Sequence, residues 1–229
     1  MRLIIGERYS DEIRELTELG CDIITFKPSQ LLDEEIRSHA DISFFKCNDK
    51  QIIVNSAIKG EIEPFLRDFR LIECEGIKSP YPSDVALNCA LIGKHLLCNT
   101  KHVATEIKDF CSSNGIELLH TNQGYSKCSV CVLNEGAVIT ESSAIASLLN
   151  FCQIDVLLIE EGHVALSDVH HGFIGGASGM INNSTLYFSG DISAHPDYER
   201  IKSFLDKYNI KPVFNKSRKL NDFGGFIRL

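Results

Sequence analysis

Nowhere does the chain approach the ~18 uninterrupted apolar residues that a membrane-spanning helix needs. The apolar run Leu3-Ile4-Ile5 is too short for a secretory leader, so the expected location is cytoplasmic, with no membrane partner. A basic stripe is also missing. Lys and Arg total 23 against 31 Asp and Glu, and the net charge of -8 is spread along the chain, which disfavours broad nucleic-acid binding. A disulfide framework is excluded by an odd count of nine cysteines set in apolar runs such as Leu96-Leu97-Cys98 and Phe151-Cys152, which read as reduced core residues. Metal-ligand spacing is absent as well: His163, Asp168, His170, His171 and His195 offer neither an i,i+4 histidine pair nor paired CxxC, so neither metal nor cofactor is expected. Gly172, Gly175, Gly176 and Gly179 precede a strand rather than a helix N-terminus. They read as close backbone packing, not as a phosphate cradle.

What is present is a period. Ala40–Phe45 reads as a strand, Asn48-Asp49-Lys50 as a turn, Gln51–Asn55 as a second strand, Glu61–Leu66 as a short helix with Pro64 in its first turn, and Arg70–Cys74 as a third strand. The order recurs from Asp84, with a helix carrying Val103, Ile107, Phe110 and Cys111 on one face and ended by Gly115. It recurs again from Lys127, through Val130–Leu133, Ala137–Thr140, a helix capped by Ser142 or Ser143, and Asp155–Ile159. A fourth copy runs from Gly176, its helix started at His195-Pro196-Asp197. The fifth is split: Asp222–Arg228 supplies one strand and Arg2–Ile5 the next, followed by a helix at Ile13, Leu16 and Leu19 and the strand Cys21–Phe26. Starts at Asp41, Asp84, Lys127, Gly176 and Asp222 are spaced by 43, 43, 49 and 46 residues. Three strands per helix fit neither a doubly wound sheet nor a pure β propeller. The expected fold is one α/β domain over residues 1–229, a five-fold pseudosymmetric α/β propeller of ββαβ units whose fifth unit is closed by the N- and C-termini.

This arrangement resembles the pentein superfamily, which holds the guanidine-modifying enzymes and, more distantly, the non-catalytic initiation factor 6. Gly124–Cys128, Gly172–Gly179 and His195-Pro196-Asp197 are also similar to the signatures of an uncharacterised bacterial group with that fold. The resemblance implies first strands around a central channel. Asp41 and Ser43, Asp84 and Asn88, Lys127, Ser129 and Cys131, Ser178 and Asp222 alternate with apolar residues, as such strands require. Carboxylates suit a planar guanidinium, so Asp41, Asp84 and Asp222, with Lys127 and with Asp191 at the rim, are the expected substrate-binding set.

The resemblance further implies a cysteine nucleophile and a histidine acid/base in a His-x-Asp/Glu pattern. His39-Ala40-Asp41 matches it. The nucleophile is either Cys128 or Cys131: strand phase favours Cys131, and proximity to the loop favours Cys128. Both also read as ordinary buried cysteines. The segment Leu220–Gly225, where the family usually carries its cysteine, has none, so the order of units would be circularly rotated. Two functions remain open: a hydrolase or transferase acting on a small guanidinium or amidinium compound, and a non-catalytic pentein binding the ribosome or another protein.

Overall fold

The computed structural model describes residues 1–167 and 170–229. Five mixed three-stranded sheets, each with a helix, use the chain in sequence order. β1 (Arg2–Gly6), α1 (Ser10–Glu18) and β2 (Asp22–Phe26) form the first. The second holds α2 (Ala40–Ser43), β3 (Phe44–Asn48), β4 (Gln51–Asn55), α3 (Ser56–Ile62) and β5 (Arg70–Cys74). The third holds β6 (Ala90–Ile92), β7 (His95–Cys98), α4 (Thr105–Asn114) and β8 (Glu117–His120). The fourth holds β9 (Val130–Asn134), β10 (Ala137–Thr140), α5 (Ser143–Phe151) and β11 (Asp155–Leu158). The fifth holds β12 (Ser178–Asn182), β13 (Thr185–Phe188), α6 (Tyr198–Lys207) and β14 (Lys211–Val213). β15 (Ile227–Arg228) returns to the first sheet, pairing antiparallel with β1 through Leu3↔Arg228 and Ile4↔Ile227.

The repeat is also visible in small devices. Asn48, Asn134 and Asn182 each accept a hydrogen bond on Oδ1 from the backbone N–H two residues on, closing the hairpin as an Asx turn. A register shift sits beside each of these turns. Helix ends follow local chemistry as well. Asn55 caps α3 by accepting from Ala57 N, Ser142 caps α5 by accepting from Ile145 N, and Gly115 ends α4 at φ +64°. α6 begins after Asp197 rather than at Pro196, and α3 starts at Ser56, with Pro64 in the 3-10 turn that follows it.

One expectation fails in a way that bears on the site. Asp41, Ser43, Asp84, Lys127 and Cys128 are not on strands; each lies in a helical turn that leads into the first strand of its unit. The turns close locally, through Asn88 N to Val85 O, Ser129 N to Tyr125 O, and Val130 N to Lys127 O. The strands begin later, at Phe44, Ala90, Val130 and Ser178. Over four or five residues an i,i+4 pair such as Asp84 and Asn88 has the same parity as a strand face, so period alone cannot separate the two conformations. First strands neighbour one another, β6 beside β9, β9 beside β12, and β15 beside β3. Apolar residues fill the gaps between sheets: Phe45, Cys47, Leu96 and Ile107 between the second and third, for example, and Leu133, Ile139, Leu186 and Ile201 between the fourth and fifth.

Candidate active site

Four of these leading segments converge. α2 presents His39 at its N-cap and Asp41 in its first turn, and the Asp41 N–H donates to Gly224 O at 3.2 Å. The 126–129 turn brings in Cys128. The 222–225 segment passes close over both, which Gly224 permits: at φ +69°, a Cβ there would lie 2.3 Å from the Cβ of His39. Gly176 likewise leaves room for Asp222, whose Oδ1 would sit 2.0 Å from an added Cβ.

The resulting polar cluster is almost fully buried. Cys128, Asp41 and Asp222 are each 3% exposed, His39 is 1% exposed and Asn88 is completely enclosed. The Cys128 thiol donates to Asp41 Oδ2 at 3.0 Å, and Asn88 Nδ2 donates to Cys128 Sγ at 3.2 Å. Asp222 accepts from Phe173 N on Oδ2 and from Gly224 N on Oδ1, both at 2.9 Å, and its Oδ1 lies 3.9 Å from His39 Nδ1. Neither ring nitrogen of His39 has a hydrogen-bond partner among the described residues, and neither does Asp41 Oδ1.

Burial sets the protonation. Desolvation pushes the Asp41 carboxyl up to about 6, against the pull of His39 and Lys127. Burial, followed by the charges of Asp41 and Asp222, pushes the Cys128 thiol well above its ordinary value. Burial therefore favours the protonated thiol. The donor atoms of His39, Asp41 and Cys128 lie within 4.8 Å of one another.

Cys128, His39, Asp222 and Tyr125 line a cavity of about 300 Å³, walled by Ile36, Leu166 and Phe173 and rimmed by Glu35, His170 and His171. His170 pairs with Glu35 at 3.0 Å across the rim. Larger cavities lie nearby, but Cys128 lines none of them.

Of the residues expected from sequence, the structure brings His39, Asp41, Cys128 and Asp222 together. Asp84 is set back behind Tyr125, whose hydroxyl donates to Asp84 Oδ2 at 2.8 Å and which lines the cavity in its place. Cys131 packs into the apolar core between the fourth and fifth sheets and faces a different cavity, of about 590 Å³. Lys127 points into that second cavity too, donating to Gly175 O at 3.2 Å. Asp191 caps a 3-10 turn through Ser193 N and lines a third cavity of about 690 Å³ with His163 and His195. His195 is engaged at both ring nitrogens, with Asp197 N at 3.0 Å and Glu160 O at 3.2 Å. Asp168 lies outside the described residues. Sequence reasoning did not select Asn88, Tyr125 or Glu141. Burial pushes the Glu141 carboxyl up to about 7, and its Oε2 accepts from Ile174 N in a cavity that adjoins the first at His171 and Phe173. The i,i+4 spacing of Asp84 and Asn88 was the one available signal for Asn88.

A single family description matches residues 4–227, nearly the whole chain. The protein belongs to DUF6873, a family of unknown function. No curated protein sequence matches this DUF6873 chain. Solved structures do, at the level of fold. The dimethylarginine dimethylaminohydrolase of Pseudomonas aeruginosa, complexed with citrulline, superposes with a TM-score of 0.57 at 12% identity, covering 96% of this chain and 94% of its own. An amidinotransferase of saxitoxin biosynthesis from Microseira wollei gives 0.58 at 12% identity, covering 92% of this chain and 75% of its own. The agmatine deiminase of C. jejuni with substrate bound gives 0.54 at 12% identity, covering 94% and 87%. All three are penteins, and the DUF6873 chain shares their fold.

Proposed function

We propose that this protein is a cysteine-dependent guanidine- or amidine-modifying enzyme, a hydrolase or transferase acting on a C–N bond. The carrying observation is the Cys128 thiol, 3.0 Å from Asp41 Oδ2 and in the wall of a cavity that His39 and Asp222 share. A guanidinium entering there meets the carboxylates of Asp222 and Asp41. Asp41 and Asp222 are its countercharges, Asp84 acts at a distance through Tyr125, and Lys127 and Asp191 lie off the reacting end. Cationic substrate also favours the thiolate, since it opposes the two carboxylates that hold the proton on sulfur.

In this reading the thiol proton passes to Asp41 or His39 as the sulfur lone pair attacks the guanidinium carbon, and the C=N π electrons move onto nitrogen. Collapse of the tetrahedral adduct expels an amine, which takes a proton from His39 and leaves an S-amidino cysteine. Water, deprotonated by His39, then releases the thiol and a ureido product; an amine in place of water makes the reaction a transfer. Asp222 beside Nδ1 orients the imidazole and stabilises its charged form.

Neighbouring first strands and the β15–β1 pairing support a closed five-fold ring, an α/β propeller forming one domain over residues 1–229. The nine free thiols suit a reducing cytoplasm. No helix of the described residues is long and apolar enough to cross a membrane.

The test is labelling with a haloacetamidine and peptide mapping. Selective modification of Cys128, suppressed by a competing guanidinium and by His39→Gln, supports the enzyme. Labelling spread over all nine cysteines, with no guanidine consumed, sinks it. Such a failure would leave the reading of a non-catalytic protein that binds a macromolecular partner.

A further inference from the structure

We propose that Asn88 is the positioning residue of Cys128: its side-chain amide fixes the 126–129 turn against α2 and holds the sulfur once the thiol proton has left. The inference rests on the proposed role of Cys128 as nucleophile. Asn88 is fully enclosed and uses its whole hydrogen-bonding capacity on this one place. Oδ1 accepts from the backbone N–H of Lys127 at 2.7 Å and of Cys128 at 3.3 Å. Nδ2 donates to Asp41 O at 3.3 Å and to Cys128 Sγ at 3.2 Å.

The orientation of the amide is fixed by chemistry, because two backbone donors can be met only by the carbonyl oxygen; the NH2 must then face sulfur. That bond changes character during the reaction. It is a weak contact to a thiol, and it becomes a charge-assisted bond when sulfur carries the negative charge. Among the described residues Asn88 supplies the only recorded donor to Sγ; the Lys127 ammonium is turned away to Gly175 O, and Asp41 and Asp222 both disfavour a thiolate. The same side chain reaches 47 residues back to Asp41 and 40 residues on to Cys128. It therefore sets the distance between the group that takes the proton and the atom that loses it.

The experiment measures the pH profile of Cys128 alkylation by iodoacetamide, site-resolved by peptide mass spectrometry, beside the thermal midpoint. Asn88→Asp keeps the acceptor for the two backbone N–H groups but puts a carboxylate oxygen where the NH2 faced sulfur. The profile is expected to move up by about one pH unit or more, a roughly tenfold loss of thiolate at fixed pH. Because the added carboxylate would itself repel a thiolate, the uncharged Asn88→Ala must move the profile in the same direction, and a lowered midpoint with the Asn88→Ala profile left in place overturns the proposal.

If the variant fails to fold, the unsubstituted protein decides. The side-chain amide resonances of Asn88 should titrate with the Cys128 alkylation profile, and resonances that stay fixed while the thiol ionises overturn it. Neither measurement reads guanidine turnover. Inactivity toward guanidines with a coupled Asn88–Cys128 titration therefore refutes only the enzyme, and turnover with an uncoupled titration refutes only the role of Asn88.

Discussion

Asp222 Oδ1 lies 3.9 Å from His39 Nδ1, so a carboxylate from the last residues of the chain faces an imidazole from its first quarter. The pairing of β15 with β1 makes this possible, with Phe223 and Phe226 packed beneath Leu3, Ile5 and Tyr187. Deleting residues 223–229 removes those rings, the Gly224 carbonyl that receives the Asp41 N–H, and the closing strand. Losing a buried Phe alone costs about 3–5 kcal/mol. The expected outcome is a thermal midpoint lowered by at least the roughly 6–20 °C that this energy produces in a chain of this size, together with loss of selective Cys128 labelling. An unchanged midpoint in calorimetry would count against closure through the termini.

Asp41 makes stability depend on pH in a definite direction. Its folded-state carboxyl titrates near about 6 because of burial, above the ordinary 3.8, so between those values the folded chain holds a proton that the unfolded chain releases. The contribution is fully present below about pH 4 and is lost as pH rises through 6, an effect of about 3 kcal/mol from a shift of about two units. Asp41→Asn abolishes this titration. The midpoint of the variant relative to the parent should therefore rise between pH 4 and pH 7.5, whatever its absolute value. A constant difference across that range would show that Asp41 is ionised throughout.

A cavity lined by Asp222 and backed by Asp41 should bind cations. Guanidinium, agmatine, creatine or arginine should raise the thermal midpoint by mass action. Asp41→Asn and Asp222→Asn should each weaken binding about tenfold, the value of one charge-assisted hydrogen bond. Asp84→Asn should matter less, because Tyr125 stands between that carboxylate and the cavity. Equal losses at all three aspartates in titration calorimetry would restore Asp84 to direct contact; no shift with any cation would remove the pocket.

The unit pattern was legible because the repeats carry local punctuation, Asn in the hairpin turn of three units and Gly93 in that of another, with apolar runs flanking each helix. β8 and β14 were not picked out, being three or four residues with one-sided burial. Asp41 and Asp222 were singled out by position within the repeat, and His39 by the His-x-Asp pattern that the family resemblance implies. The choice between Cys128 and Cys131 could not, because it hung on strand phase, and the relevant residues form a helical turn. Once Cys128 lies in the turn and Cys131 on β9, their separation of three no longer decides which one faces the cavity. Asn88 was legible only as a polar residue of the right parity, since its role depends on contacts 40 and 47 residues away.

Gly224 provides the sharpest test of how the site is held together. Its φ of +69° is a conformation that other L residues adopt only with strain, and an added methyl carbon would lie 2.3 Å from His39 Cβ and 2.4 Å from Cγ. Neither neighbour is the free end of a flexible chain; the imidazole is enclosed by Tyr9 and the 222–225 segment, so it must rotate or the segment must lift. Lifting the segment also breaks the Asp41 N to Gly224 O bond. Gly224→Ala should therefore cost about 1–3 kcal/mol in strain and displaced packing, while reducing Cys128 labelling by far more than the loss of folded protein explains. The comparison variant is Gly20→Ala, also at positive φ but with nothing within 4 Å of the added carbon. It should show the strain in its denaturant midpoint and keep full labelling. Equal labelling in the two variants would mean that His39 does not need its present position for the cysteine to react.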